Sequence, residues 1–392
     1  MSLQIIHCSD VHLDKNFGIS NLEKARQRKD DLNNAFSAVV DHAVETKPDI
    51  FLISGDVFDK LSPTNAAVNF LLQQIKKLND VHVETFLIGG NHDVPKLGPS
   101  SSLAIGALSS AGLATVFDSS DAVQKRVLRC DNRSVCISGR SYYTKQENAN
   151  PLAGVKIPLD GDYNIFMIHG SLQGLEVLPS DNIQGGLNPF SADDLAPGLN
   201  YLALGHFHNY FIRDHNACTI ANPGSLERLS FSEINDRKGF LWVEMHNSEV
   251  TVERVEIPGR PMEAQELSLS KEIEYSPTIN DSIIEFLDRF SDPAKLFKLR
   301  LQGQISQNQY NELKMNVIIS RCKEVFFNLR LDRDALEVEG YGRVFFDHAV
   351  DKPTDAFTKR LDLLLEKTAD ETERRKLTRI KEIGLKYLEE VR

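Results

Sequence analysis

Five short polar stretches carry the side chains of this chain best suited to chemistry. They are Asp10-Val11-His12, Gly55-Asp56, Gly90-Asn91-His92-Asp93, His169-Gly170 and Gly205-His206-Phe207-His208. Each supplies oxygen or imidazole ligands, and together they read as a two-metal site. Asp10 and His12 are two residues apart, so an extended backbone places both on one side, within reach of one cation. Asp56 has two carboxylate oxygens and suits a bridge between cations, although an Asx-turn or a helix cap is the common use of such an aspartate. Asn91 can offer an amide oxygen to a metal, which leaves His92 for substrate and Asp93 to orient and charge-stabilise His92. His206 and His208 share one strand face, with Phe207 turned the other way. The remaining histidines have blander expectations. His7 is read as a strand residue behind the site, and His42, His82, His215, His246 and His348 as solvated or packing residues. Trp242 is read as core.

Nearly all of these stretches follow a short apolar run, and strand ends in an α/β sheet converge on one edge. Leu3–Cys8 predicts a strand running into Asp10, and residues 49–54 a second strand ending at Gly55-Asp56. Residues 81–88 predict a third, ending at Gly89-Gly90. Between them, Leu32, Ala35, Phe36, Val39, Val40 and Ala43 mark one face of a helix over 22–45, and Pro63 opens a helix through Leu78. This βαβαβ pattern predicts parallel strands with crossover helices. Short strands are expected at 125–129, 135–138, 165–168, 201–204, 239–245 and 250–256. Pro258-Gly259-Arg260-Pro261 is a breaker cluster that ends a first domain, 1–257. A small α/β unit over 262–350 follows, with helices at 279–290 and 306–322 and strands at 296–301 and 325–331. Beyond Pro353, two amphipathic helices over 354–392 are expected, too little to form a core alone. The charged run 371–376 is read as a solvated helix face.

The bulk properties bound the partners. The chain has 392 residues, 41% of them hydrophobic and 26% charged, as in ordinary globular proteins. No apolar run is long enough to span a bilayer, and no signal peptide is visible, so no membrane association and a cytoplasmic location are expected. Five scattered cysteines fit reduced thiols better than a disulfide frame or a zinc site. A net charge of −11 argues against a bulk electrostatic grip on nucleic acid, although bound cations would offset local carboxylates.

The motifs resemble those of the calcineurin-like metallophosphoesterase superfamily, over residues 5 to about 230. The resemblance implies a four-layer α-β-β-α sandwich. It implies that Asp10, His12 and His208 hold one cation, that Asn91, His169 and His206 hold the second, that Asp56 bridges them, and that His92 is the catalytic histidine. Narrower features are similar to the SbcD-type double-strand-break repair exonucleases: Ile53-Ser54-Gly55-Asp56-Val57-Phe58-Asp59, and Asn222-Pro223-Gly224-Ser225 followed by Glu227-Arg228. That likeness implies two manganese ions, a capping domain at 262–350, a homodimer, and docking of an SbcC-type coiled-coil ATPase on the terminal helices. Many archaeal members carry histidine where this chain has Asp59.

The function expected on this reading is a manganese-dependent DNA exonuclease and endonuclease acting in repair and recombination with that ATPase. A small-molecule or cyclic-nucleotide phosphodiesterase or phosphatase is the alternative, favoured by the acidic charge balance. A metal-bearing, non-enzymatic scaffold is a third reading, weakened by the full ligand set and by His92.

Overall fold

The computed structural model describes residues 2–95, 103–130, 132–143, 149–174, 188–247, 249–340 and 342–343, with scattered positions between 358 and 384. The chain divides into two compact units. The first comprises Met1–Ala264, Ser291–Phe297 and Lys323–Leu329; the second comprises Gln265–Phe290, Lys298–Cys322 and the residues from Arg330 onward.

The first unit opens with strands β1 (Leu3–Cys8), β2 (Ile50–Ser54), β3 (Glu84–Ile88) and β4 (Thr115–Phe117), joined through helices α1 (Leu22–Thr46), α2 (Asn65–Asp80) and α3 (Gly106–Ser110). There follow β5 (Gln124–Cys130), β6 (Arg133–Arg140), β7 (Tyr163–His169), β8 (Ser171–Leu172) and β9 (Pro189–Phe190). The series ends with β10 (Tyr201–Gly205), β11 (Phe211–His215), β12 (Cys218–Asn222), β13 (Gly239–His246) and β14 (Glu249–Glu256).

These strands form two six-stranded sheets, in the orders β14-β13-β1-β2-β3-β4 and β11-β12-β10-β7-β6-β5. Strands β1 to β4 are parallel, as the βαβαβ pattern predicts. In the second sheet β6, β7, β10 and β12 are parallel, and β5 and β11 close the edges antiparallel. The period of two decides what each strand buries. Ile5 of β1 and Ile50 and Leu52 of β2 join Ile137, Ile165, Met167 and Ala203 of the second sheet in one core. Their alternates Ile6, Cys8, Phe51 and Ile53 join Phe36, Val39, Val40 and Ala43 of α1 and Leu71, Ile75 and Leu78 of α2 in another. A third core lies on the other face of the second sheet, where Phe166, Leu202 and Ile220 meet Leu152, Ile157 and Phe190.

The helix ends are chemically specified. The Asn21 side chain accepts hydrogen bonds from the amides of Glu23 and Lys24, capping α1. Helix α2 starts after Thr64, whose hydroxyl accepts from Ala67 N–H, so Pro63 lies just outside the helix it was expected to open.

The second unit contains α4 (Ile279–Asp288), α5 (Gln307–Glu312) and α6 (Met315–Arg321). Strands β15 (Met262–Ser270), β16 (Asp292–Ile305), β17 (Phe326–Val338) and β18 (Gly342–Arg343) form a sheet in that order. The single helix expected over 306–322 is two helices, because Leu313 is extended (ψ 107°). The Asn280 side chain satisfies the break: it accepts from Lys314 N–H (2.8 Å) and donates to the Glu312 carbonyl (2.9 Å). Ile279, Ile283, Leu287, Leu299, Leu301 and Ile318 are fully buried in this unit. Most of the hairpin expected over 354–392, and the end of the expected 262–350 unit, lie outside the described residues. Positions that are described there, including Leu361, Asp362 and 376–381, are helical. Among the described residues no helix is long and apolar enough to cross a membrane.

Candidate metal centre

The first parallel sheet delivers Asp10, Asp56 and Asn91 just beyond the ends of β1, β2 and β3. The second delivers His169 at the end of β7 and His206 and His208 just after β10. Register aligns the second set, since His169 pairs with Gly205. The loops after β1 and β2 continue as a zipped pair: Asp10 N–H donates to Gly55 O (3.1 Å), His12 to Asp56 O (3.0 Å) and Leu13 to Val57 O (2.9 Å). Two glycines make the close approach possible. A Cβ at Gly90 would collide with the Asp56 carboxylate, and one at Gly205 with the Ser54 carbonyl. Four of the expected ligands have left-handed backbone: Asp10 (φ 50°), His12 (49°), Asp56 (48°) and His206 (107°). Such conformations cost about 1–3 kcal/mol each in non-glycine residues and persist where the surroundings over-determine them.

All seven expected metal residues, with His92, lie in one cluster. Asp10, His12 and His208 present ligand atoms within 4.8 Å of one another, as do Asp10, Asp56 and His169, and His12, Asp56 and His92. The decisive detail is that three buried acceptor atoms converge here without a hydrogen-bond partner. His169 Nδ1 donates to the Ser54 carbonyl (2.9 Å). The Nε2 of the same ring faces Asn91 Oδ1 at 3.0 Å and Asp56 Oδ2 at 3.5 Å, so without a cation it carries a proton toward them. His206 Nδ1–H donates to Asn91 Oδ1 at 3.2 Å, which leaves its lone pair on Nε2. Asp56 Oδ1 accepts from His92 N–H (2.9 Å), while Oδ2 lies 3.6 Å from His12 Nε2. Asp10 Oδ2 accepts from Ser9 Oγ (2.5 Å) and His206 N–H (3.1 Å). The atoms left over, Asp10 Oδ1, His12 Nε2 and His206 Nε2, are buried without a hydrogen-bond partner. Buried lone pairs that converge without donors are unfavourable unless a proton or a cation is among them. The residues therefore fit divalent cations.

A proton stands on His169 where a cation would otherwise be. Burial lowers the His169 imidazole, but the Asp56 carboxylate beside it wins and raises it to about 9. Burial pushes Asp56 up, yet the imidazoles of His169, His12 and His92 hold it well below the ordinary carboxylate range. His206 is pushed down to about 3 by burial and by the neighbouring His169.

Asp93 is a correction. Its carboxylate accepts from the amides of Val57 (3.0 Å), Phe58 (2.9 Å) and Gly90 (3.0 Å) and so pins the Asp56 turn to the Asn91 turn. Burial, then the nearby Asp56 charge, raises it to about 7 against those three donors. The His92 ring is oriented by a backbone group: its Nδ1 lies 2.8 Å from the Asp59 carbonyl. His92 is half-buried and stacks edge-on to His12, with centroids 4.9 Å apart.

Two carboxylates support the ligands: Asp59, noted in the sequence only as a departure from the histidine of archaeal members, and Glu233, which was not singled out. Asp59 Oδ1 lies 3.2 Å from His12 Nδ1 and 2.7 Å from Lys15 Nζ. Glu233 Oε1 lies 3.0 Å from His208 Nδ1, and its Oε2 2.7 Å from Lys238 Nζ. His7 sits behind the site as expected, buried between Tyr201 Oη and Ser54 Oγ, both at 2.9 Å.

A mixed α/β sandwich with carboxylate, amide and imidazole ligands gathered at its strand ends defines a metal-dependent phosphoesterase. The chain belongs to the calcineurin-like phosphoesterase family, whose sequence profile matches residues 3–210. It is 29% identical over 261 residues to an uncharacterized metallophosphoesterase, YhaO, of Bacillus subtilis, covering 64% of this chain and 59% of that protein. It is similar to the DNA double-strand break repair protein Mre11 of Methanocaldococcus jannaschii, with 26% identity over 270 residues, 65% of this chain and 66% of that one. The Mre11 of Thermoplasma acidophilum is 27% identical over 310 residues, 77% of each chain. The chain thus spans 59% and 66% of the lengths of the first two of these relatives.

Proposed function

We propose that this protein is a DNA nuclease that hydrolyses phosphodiester bonds with two divalent cations, manganese by preference. The observation that carries the two-cation part is the placement of Asp56 Oδ2 between His12 Nε2 and His169 Nε2, at 3.6 and 3.5 Å. One carboxylate oxygen so placed suits a bridge between an Asp10–His12–His208 set and an Asn91–His169–His206 set. DNA as substrate is supported by the likeness to proteins named for double-strand break repair, which in one case extends over 77% of this chain.

Bound cations supply charge neutralisation of a phosphate and a water acidic enough to be a nucleophile near neutral pH. The chain's own residues do the rest. Asp59's carbonyl engages His92 Nδ1, so Nε2 is the ring atom left to face a phosphate. From there it hydrogen-bonds a phosphoryl oxygen or, when protonated, gives its proton to the leaving sugar oxygen. Asp93 keeps the Asp56 and Asn91 turns in register.

The test is purified protein with manganese, given linear DNA, a chromogenic phosphodiester and a cyclic nucleotide in parallel. Manganese-dependent DNA cleavage is the expected result. Turnover of the small phosphodiesters alone would replace the nuclease with a small-molecule phosphodiesterase. The proposal includes an SbcC-type coiled-coil ATPase docking on residues 354–392, whose apolar stripes need a cover. Deleting 354–392 should spare manganese-dependent cleavage of short DNA and abolish its stimulation by ATP and that ATPase. Normal ATPase binding by the truncated chain would refute the docking role.

A further inference from the structure

We infer that Glu233 and Asp59 are positioning residues that make the Asp10–His12–His208 side of the centre the stronger cation site, so that one cation binds first and the other remains exchangeable. The inference rests on the metal-centre reading above and goes beyond it by ranking the two positions.

Both imidazoles on the Asp10 side are backed by a carboxylate. His12 Nδ1 meets Asp59 Oδ1 at 3.2 Å, and His208 Nδ1 meets Glu233 Oε1 at 3.0 Å. Each bond commits Nδ1–H, fixes the tautomer and leaves Nε2 as a more basic donor to a cation. Both carboxylates are themselves held by a lysine. Lys15 Nζ is 2.7 Å from Asp59. Lys238 Nζ is 2.7 Å from Glu233 and is further fixed by the His208 carbonyl (3.0 Å) and Ser225 Oγ (2.9 Å). The lysines hold the carboxylates in place; the hydrogen bond through the ring is what a cation feels. Glu233 also accepts from Leu229 N–H at 3.1 Å, so it cannot swing away from His208 without breaking a turn.

The opposite side has no such backing. His169 Nδ1 is engaged by a neutral carbonyl, that of Ser54, at 2.9 Å. His206 Nδ1 faces the Asn91 amide oxygen and its Nε2 is buried without a partner. Asn91 brings no charge. Removing a carboxylate behind a metal-binding histidine typically weakens the metal by about 10–100-fold. Two such carboxylates on one side and none on the other predict affinities separated by at least about tenfold.

Calorimetric titration of chelator-stripped, full-length protein with manganese chloride tests this. Two phases of one equivalent each are expected in the wild type. Glu233→Gln and Asp59→Asn should each weaken the tighter phase by about 10–100-fold and leave the weaker one in place. The Glu233 side chain is 3% exposed and that of Asp59 18%, so the larger loss is expected for Glu233→Gln. On a His208→Ala background Glu233→Gln should add little further loss, because its effect passes through that ring. A merely structural Glu233 would instead weaken both phases alike and add its full effect to His208→Ala. Two phases of equal affinity in the wild type would overturn the ranking while sparing the two-cation site. No manganese binding at all would overturn both. If Glu233→Gln fails to fold, the more exposed Asp59→Asn decides the question.

Discussion

The two units of the chain treat their backbones and buried polar groups in opposite ways. In the first, Asp10, His12, Asp56 and His206 hold left-handed backbone without being glycine, and buried atoms of Asp10, His12 and His206 lack partners. In the second, among the described residues, positive φ occurs only at Gly303 and Gly340, and no buried side-chain polar atom is left without a partner. Both kinds of departure also occur elsewhere in the first unit, as at Lys47, Asn247, Gln74 and Arg254, but at Asp10, His12 and His206 they coincide on neighbouring side chains of one cluster. Departures that coincide in this way, each costing free energy, mark where chemistry is done.

Mutation of the two units should therefore read out in different quantities. The largest effect is expected for Asp56→Asn, which removes the charge common to both candidate ligand sets: hydrolysis should be abolished and both cations lost from the purified protein. Two tightly bound ions in that variant, counted by elemental analysis, would break the bridging assignment. His92→Ala should lower turnover by about 10²–10⁴-fold with metal content and fold intact. Loss of one metal equivalent would instead place His92 among the ligands, with the His12 and Asp56 atoms it lies near.

Core truncation in the second unit sharpens the contrast from the other side. Ile283 is fully buried on α4. Ile283→Ala should cost about 2–5 kcal/mol of stability in denaturant unfolding and leave manganese affinity unchanged. A change in affinity would show that the two units do not separate stability from function.

A smaller effect concerns His7, which burial pushes down to about 3. The unfolded chain protonates this ring near its ordinary value of about 6.5, so between the two values the unfolded state binds the extra proton. Stability of the metal-free protein should then fall as pH drops below about 6.5, by up to about 1.4 kcal/mol per pH unit. His7→Gln should be less stable at neutral pH, because Tyr201 and Ser54 lose their imidazole partner, and its stability should depend on pH less steeply. Equal slopes for the two proteins, in unfolding midpoints between pH 7 and 4, would assign the acid sensitivity to other groups.

What was legible in the sequence was local. The apolar runs ending at Cys8, Ser54 and Ile88 became parallel strands, and the polar residues after them came together because parallel strands share an edge. What was not legible depended on partners far along the chain. Glu233 lies 25 residues from His208 and Asp59 lies 47 from His12, with no spacing rule to connect them. Asp93 was read as the support of its neighbour His92, yet adjacent residues on a turn point apart, and its carboxylate serves the amides of Val57 and Phe58. The break at Leu313 depends on Asn280, 34 residues before Lys314. Strands β11 and β12, Phe211–His215 and Cys218–Asn222, were missed because Arg213 and Asp214 interrupt the apolar pattern of the first and Thr219 and Asn222 leave little of one in the second.

The division of the ligands between two sheets has a consequence for how the molecule is made. Residues up to Asp93 carry one half of the centre, and the other half waits for His169, His206 and His208. His206 N–H reaches Asp10 across 196 residues, and His169 reaches the Ser54 carbonyl across 115. Closing such loops is slow compared with forming local structure. During synthesis neither candidate ligand set is complete until the chain has passed His206, so a cation is poorly placed to nucleate the first sheet. Metal capture becomes a late event that reports both sheets as docked, and the order of assembly runs from hydrophobic core to cofactor.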